Sequence, residues 1–270
     1  MKSEIILIFA AKFIEKMKIT LLQQDIVWGN PTENHRRAEA AILRAPGADL
    51  YVLPEMFSTG FATEPKGLAE QENASLQWMK ATARRQDAAL AGSVAVEVDG
   101  TYRNRLYFVP PDGAVTFYDK HHLFSYAGEQ NSYTPGQERV IVNFRGVRFL
   151  LMVCYDLRFP VWSRNNDEYD CALYVANWPS SRMPAWDYLL RARAIENQCY
   201  VCGVNRVGDD PICHYTGGSM LVHPYGHAMA TAPEGQEGCA TAELDMPALE
   251  AFRTKFGVLN DRDAFSIHNS

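Results

Sequence analysis

Three apolar runs in this 270-residue chain each end in a side chain that can do chemistry. Leu50-Tyr51-Val52-Leu53-Pro54 leads to Glu55, Val115-Thr116-Phe117-Tyr118-Asp119 to Lys120, and Phe149-Leu150-Leu151-Met152-Val153 to Cys154. A carboxylate, an ammonium and a thiol together make a nucleophilic site. A thiol with a pKa of about 8.5 is mostly protonated at neutral pH, so it needs a base to take its proton and a cation to hold the anion. Glu55 suits the first role and Lys120 the second. Once Cys154 attacks a carbonyl carbon, the tetrahedral oxyanion needs donors, and the Lys120 ammonium and the backbone N–H of Tyr155 are the candidates. The product is a thioester, which water clears. A further carboxylate, Glu129, stands in Gly128-Glu129-Gln130 ahead of the Pro135-Gly136 turn and can orient Lys120 or the water. Singly, these residues read as a core thiol, a loop carboxylate and a charged surface turn. Their conjunction is what points to catalysis.

Other motifs carry less. His121-His122 has no acid or cysteine at ligand spacing, and Cys199 and Cys202 have no second pair to complete a zinc site. Both read as structural, and no metal or cofactor is expected. Gly217-Gly218-Ser219 lacks the Gly-Lys-Ser/Thr of a phosphate loop, so it reads as a tight turn. The absence of G-x-S-x-G and H-E-x-x-H disfavours serine hydrolases and zinc peptidases.

The elements that must position the three residues are short β-rich runs alternating with helix-period segments, the pattern of a layered α/β or α+β fold. Strands are expected at 19–22, 50–53, 92–98, 106–109, 115–118, 149–153, 172–175 and 200–204. Asn30-Pro31 opens a helix that Pro46-Gly47 closes. A second helix runs from about Trp186, and its stripe of Tyr188, Ala192, Ile195 and Cys199 is expected to face a core. Turn residues at Asp99-Gly100 and Arg145-Gly146 put hairpins into the sheet.

Composition narrows the partners. A formal net charge of -6 with no long Lys/Arg cluster argues against nucleic acid and anionic lipid. Six scattered cysteines in a chain this large suit a reducing cytoplasm rather than a disulfide framework. No stretch is long enough to span a bilayer. The apolar start Ile5 to Ala11 is a poor signal peptide because Glu4 interrupts the basic region and no clear cleavage site follows. Met17 begins a second plausible start, so residues 1–16 read as an extension of unknown role and 17–270 as one domain.

The blocks Pro54-Glu55-Met56-Phe57, Tyr118-Asp119-Lys120-His121-His122-Leu123-Phe124 and Val153-Cys154-Tyr155-Asp156-Leu157-Arg158-Phe159-Pro160 resemble the nitrilase superfamily of carbon-nitrogen hydrolases. The resemblance runs from about Met17 to Leu244. It implies a four-layer αββα sandwich, catalytic Glu55, Lys120 and Cys154 with Glu129 as the additional glutamate, and pairing of two copies across a helix face. The segment from Ala176-Asn177-Trp178-Pro179 through Arg182 to Gly203-Val204-Asn205-Arg206 is similar to the bacterial omega-amidase branch. That similarity implies hydrolysis of 2-oxoglutaramate or 2-oxosuccinamate. A carboxylate-bearing substrate calls for a basic or hydrogen-bonding group at the pocket mouth, for which Arg182 and Trp178 are the candidates, while Arg158 reads as a brace of its loop. An N-carbamoyl amine or amino-acid hydrolase and a nitrilase use the same three groups and stay open as alternatives. The metal-dependent phosphodiesterases of similar layering need an acid and histidine cluster that Asp261, Asp263 and His268 do not reproduce.

Overall fold

A computed structural model describes residues 15–71 and 73–267. Residues 1–14 of the expected extension, with the apolar run Ile5 to Ala11, lie outside the described residues, as does His268. The first half of the chain forms β1 (Lys16–Gln23), α1 (Pro31–Arg44), β2 (Leu50–Val52), α2 (Ala74–Gln86), β3 (Ala89–Val98), β4 (Thr101–Val109) and β5 (Thr116–Asp119). The second half adds β6 (Ile141–Phe144), β7 (Val147–Val153), β8 (Cys171–Ala176), α3 (Met183–Glu196) and β9 (Tyr200–Asn205). It closes with β10 (Val207–Asp209), β11 (His214–Thr216), β12 (Met220–Val222), β13 (Ala228–Thr231), β14 (Gly238–Asp245) and α4 (Met246–Lys255).

These strands make two six-stranded mixed sheets, ordered β14-β1-β2-β3-β4-β5 and β13-β12-β9-β8-β7-β6, with β10 and β11 as a separate ribbon. Strand side chains alternate between faces, and the burial follows that period. Phe149, Leu151 and Val153 of β7 join Ile19, Leu21, Val52, Leu106 and Phe108 in a core between the sheets. Leu150 and Met152 point the other way, toward Trp186, Leu190 and Ala194 of α3. On the far side, Ala38, Ile42, Met79 and Ala83 of α1 and α2 cover Leu22, Tyr51, Leu53 and Leu90. The result is helix, sheet, sheet, helix: the expected four-layer αββα sandwich.

Local signals place most of these elements. Asn30 Oδ1 accepts from Glu33 N at 3.1 Å and Pro31 opens α1, as the cap residues require. Both hairpins form, with Asp99 and Gly100 at φ 49° and 71° and Arg145 and Gly146 at 49° and 88°, the positive pair that suits the twist of a two-residue turn. Cys199 and Cys202 face opposite sides of their sheet, one against α3 and the other in the inter-sheet core.

The stripe expected on α3 is corrected. Tyr188 is 71% and Ile195 54% exposed, and the helix buries Trp186, Leu190, Arg193 and Ala194 instead. The reason is Gly203 in β9, where a Cβ would lie 2.4 Å from Leu190 Cδ1 and 2.9 Å from Trp186 Cζ2. A glycine beneath the helix opens a slot that only this face fills. Cys199 is buried, but it lies beyond the helix end.

Candidate active site

Both halves of the sandwich send a strand end to one place. Glu55 lies three residues past β2 and is followed by Met56 at φ 44°, while Cys154 directly follows β7, also at φ 44°. Left-handed backbone at a non-glycine residue costs on the order of 1–3 kcal/mol, so each bend must be held by its surroundings. Met56 N donates to Ser93 Oγ at 2.9 Å and Phe57 N to Ser93 O at 3.1 Å, anchoring the first bend to β3. Val153 N donates to Asp156 Oδ2 at 2.9 Å, anchoring the second to the 3₁₀ turn Cys154–Arg158. Lys120 continues β5, its N–H donating to Asn104 O and its carbonyl accepting from Gly136 N, each at 3.0 Å. A Cβ at Gly136 would stand 2.2 Å from Asp119 O, so the Pro135-Gly136 turn presses on the lysine segment as only glycine allows.

The side chains meet in a buried cluster. Lys120 Nζ donates to Glu55 Oε1 at 2.9 Å and to Glu129 Oε2 at 2.9 Å, and all three side chains are fully buried. Glu129, in the 3₁₀ turn Glu129–Asn131, also accepts from Phe124 N at 2.6 Å. Glu55 Oε2 accepts from Asn177 N at 2.9 Å, and Glu55 O accepts from Asn177 Nδ2 at 2.7 Å. Cys154 is partly exposed, with its Sγ 4.0 Å from Asn177 O and beside the Glu55 carboxylate that lines the same cavity.

This packing sets the charges. Burial alone would push the Lys120 ammonium down, but the Glu129 and Glu55 carboxylates outweigh it and hold the pKa above the ordinary lysine value. Burial pushes the Glu129 carboxyl up, the Glu55 charge adding to this while Lys120 and the Phe124 N–H oppose it. The Cys154 thiol is pushed well up by burial and by Glu55, with Lys120 pulling the other way. The resting site therefore holds a neutral thiol against an ion-paired carboxylate.

The histidines of the second block serve this geometry. Asp156 Oδ1 accepts from His122 N at 3.0 Å and lies 2.8 Å from His122 Nδ1, while Asp156 Oδ2 accepts from Tyr118 Oη at 2.8 Å. Tyr118 Oη accepts in turn from Trp162 Nε1 and His121 N, each at 3.1 Å. One carboxylate thus ties the Cys154 turn to the lysine segment. Among the described residues no group of three His, Cys, Asp or Glu side chains is placed to hold a metal ion.

Over the cluster opens a cavity of about 270 Å³, lined by Glu55, Lys120, Cys154 and Tyr155 below and by Trp28, Phe61, Phe124, Tyr126, Trp178 and Tyr215 around it. The Tyr155 N–H belongs to the first turn of its 3₁₀ helix, where amides have no partner within the helix. Trp178 is 3% exposed, its Nε1 donating to Arg182 O at 2.9 Å, so it is wall and packing residue together. Arg182 stands over Phe124 and Tyr126, 5.2 and 5.9 Å from their ring centres. Arg158, read from sequence as a brace, also lines the cavity, 4.9 Å above the Trp178 ring. Neither guanidinium has a carboxylate partner among the described residues.

Sequence reasoning missed Asn104 and Asn177, which hold Glu55, and the walls from Trp28, Phe61, Tyr126, Asp210 and Tyr215. A signal existed for Asn104: counting back by twos from Phe108 and Leu106 puts this polar residue on a core face. Apart from Tyr215 on β11, these wall residues sit in loops and turns that only the assembled fold brings together.

The family model for carbon-nitrogen hydrolases matches residues 18–254. The chain is 49% identical to the omega-amidase YafV of Escherichia coli (strain K12) over 252 residues, covering 93% of this chain and 98% of that protein. It is 35% identical to the 2-oxoglutaramate amidase of Bacillus subtilis (strain 168), covering 91% and 97%. The crystal structure of XC1258 from Xanthomonas campestris, described as a CN-hydrolase superfamily protein with an arsenic adduct in the active site, is 39% identical with a TM-score of 0.91, covering 94% of this chain and 100% of that one. A match over nearly the whole sandwich, with strand ends that deliver a carboxylate, an ammonium and a thiol to one cavity, makes this chain a member of the carbon-nitrogen hydrolase family.

Proposed function

We propose that the protein hydrolyses the terminal amide of small 2-oxo acid amides, 2-oxoglutaramate and 2-oxosuccinamate, to the 2-oxo diacid and ammonia. The observation that carries this reading is the buried Glu55–Lys120–Glu129 cluster behind Cys154, in a cavity whose wall carries Arg158 and Arg182, neither with a carboxylate partner among the described residues. Relatives named omega-amidase and 2-oxoglutaramate amidase support the substrate class. Glu55 takes the thiol proton as Cys154 Sγ attacks the amide carbon, and the oxyanion is held by the Lys120 ammonium and the Tyr155 N–H. The protonated Glu55 then gives its proton to the leaving nitrogen. Ammonia departs and a thioester remains. Water, deprotonated by Glu55, attacks the thioester, and the thiol regains its proton as the acid leaves. Glu129 keeps Lys120 aimed throughout. Residues 17–270 act in this reading as one unit, with no cofactor.

The test is ammonia release, without added metal, from 2-oxoglutaramate, 2-oxosuccinamate, an N-carbamoyl amino acid and a simple nitrile. Preference for the two oxo-amides supports the reading. Preference for the carbamoyl compound or the nitrile keeps the chemistry and replaces the substrate class. Arg182 is proposed to receive the substrate carboxylate; Trp178, expected from sequence to share that role, has its indole N–H engaged by Arg182 O and contributes the wall. A charge-assisted hydrogen bond is worth about 1.5–3 kcal/mol, so Arg182→Ala should raise KM for 2-oxoglutaramate on the order of ten- to a hundredfold with kcat nearly unchanged. An unchanged KM removes Arg182 from the binding role.

The exposed Tyr188 and Ile195 on α3 fit pairing with a second copy across this helix face. Tyr188→Glu with Ile195→Glu should halve the molar mass seen by light scattering, and a mass equal to that of the unaltered protein would exclude this face. The six cysteines form no disulfide, which fits the proposed reducing cytoplasm, and no helix among the described residues is long and apolar enough to cross a membrane.

A further inference from the structure

We propose that Asn104 is a positioning residue that fixes the spacing of the two buried glutamates and so keeps Glu55 free to take the thiol proton. Asn104 lies on β4 in the face that carries Leu106 and Phe108 into the inter-sheet core, and it is 1% exposed. Its Nδ2 donates to Glu55 Oε1 at 2.8 Å and to Glu129 Oε1 at 3.1 Å. Lys120 Nζ donates to the same two oxygens at 2.9 and 3.2 Å, and Lys120 N donates to Asn104 O at 3.0 Å. One residue thereby touches all three charged members of the cluster.

The chemistry turns on what two buried carboxylates do when they stand close. Left to themselves they share a proton, because like charges in a dry site cannot both ionise. A primary amide has two N–H groups, and here each serves one carboxylate, so asparagine meets the need without adding charge. Its orientation is set: with the amide reversed, Oδ1 would face both carboxylates. As placed, Oδ1 is buried with no partner among the described residues, so the position keeps asparagine for its nitrogen. The titratable groups facing the pair are Lys120 beyond β5, Cys154 beyond β7, and Tyr133 after the Glu129 turn. Of these only Lys120 supplies positive charge. Without the amide, the carboxylate already biased toward its protonated form, Glu129, captures a proton and shares it with Glu55. The base is then occupied over a wider range of pH.

This inference rests on the proposed role of Glu55, and its test does not depend on the substrate. Asn104→Leu, branched alike at Cγ though bulkier, removes both donors; Asn104→Ser is smaller and retains one. The rate of iodoacetamide labelling at Cys154, resolved from the other cysteines by peptide mass spectrometry, is measured against pH, alongside kcat and KM for the best amide. Expected for Asn104→Leu is an acid limb moved up by about one pH unit in both profiles. With it, kcat should fall on the order of ten- to a hundredfold, a part of what a placed base contributes, while KM stays within about threefold. Asn104→Ser moves the limb the same way by less. An acid limb that stays at its wild-type pH in the labelling profile of either folded variant, whatever the loss in rate, reduces Asn104 to packing and overturns the proposal. If no oxo-amide is turned over at all, the substrate reading fails while the labelling profile still decides this one.

Discussion

Cys154→Ala should release no measurable ammonia from any amide the wild-type protein turns over, a loss of more than about 10⁴-fold. The size follows from where the chemistry is placed. Without sulfur there is no thioester, and a water in the same position lacks both the nucleophilicity of the thiol and the fixed alignment with Glu55. Cys154→Ser tests the same point more sharply, because a hydroxyl keeps the shape but holds its proton far more tightly than a thiol. It should be nearly as inactive as the alanine variant. Neither change should unfold the protein. The side chain is small and only partly buried, and the left-handed backbone at this position is held by the Asp156 contact to Val153, which both variants retain. Thermal unfolding should therefore stay within a few degrees of wild type. Calorimetric binding of 2-oxoglutaramate to the alanine variant should persist through the Arg182 side of the cavity. A partial loss, in which the alanine variant keeps a tenth of the activity, would remove the thioester from the mechanism.

What the chain discloses before it folds depends on whether the information is local. Asn30 with Pro31, Asp99-Gly100 and Arg145-Gly146 act through their own backbone torsions, and each forms the cap or turn its residues prefer. The three reactive residues are legible because each ends an apolar run, and strand ends in a layered sheet open together. Two kinds of feature are not local. The buried face of α3 is chosen by Gly203, which lies outside the helix in the strand that follows it and makes room for Leu190 and Trp186. The cavity wall is assembled from scattered segments that no periodicity describes: Trp28 after β1, Tyr126 ahead of Glu129, Asp210 just past β10 and Tyr215 on β11. Asn104 lies between these cases. Its place on a core face follows from the strand period, but its partners, Glu55 and Glu129, are joined to it only in the folded sandwich.

Lys120→Met should be both inactive and unstable, and its instability should depend on pH in a way that identifies the cause. Methionine replaces the aliphatic stem, so the packing loss is small; what disappears is the only cation in contact with Glu55 and Glu129 among the described residues. Breaking a buried ion pair by removing one partner typically costs about 3–5 kcal/mol, since the uncompensated charge remains in the interior. Here two carboxylates remain, still fully buried, with Asn104, Asn177 and the Phe124 N–H as their donors. The relief available is protonation. With Lys120 gone, burial and mutual repulsion raise the folded-state pKa of the pair above its unfolded value of about 4.3. A group raised in this way binds its proton more tightly when folded. Its favourable contribution is complete below the unfolded pKa and is lost as pH rises through the folded one. The gap in stability between Lys120→Met and wild type should therefore be smallest near pH 4 and widen toward pH 7, as measured by urea unfolding at each pH. In the wild-type protein the lysine pKa is held above its ordinary value, so Lys120 stays charged throughout this window and contributes no such trend. Activity should be lost at every pH, because the substitution leaves the oxyanion without its ammonium, and the protonation that restores stability also removes the base. A gap constant from pH 4 to pH 7 would mean that the lysine acts here by filling space, and the electrostatic account of the cluster would have to be abandoned.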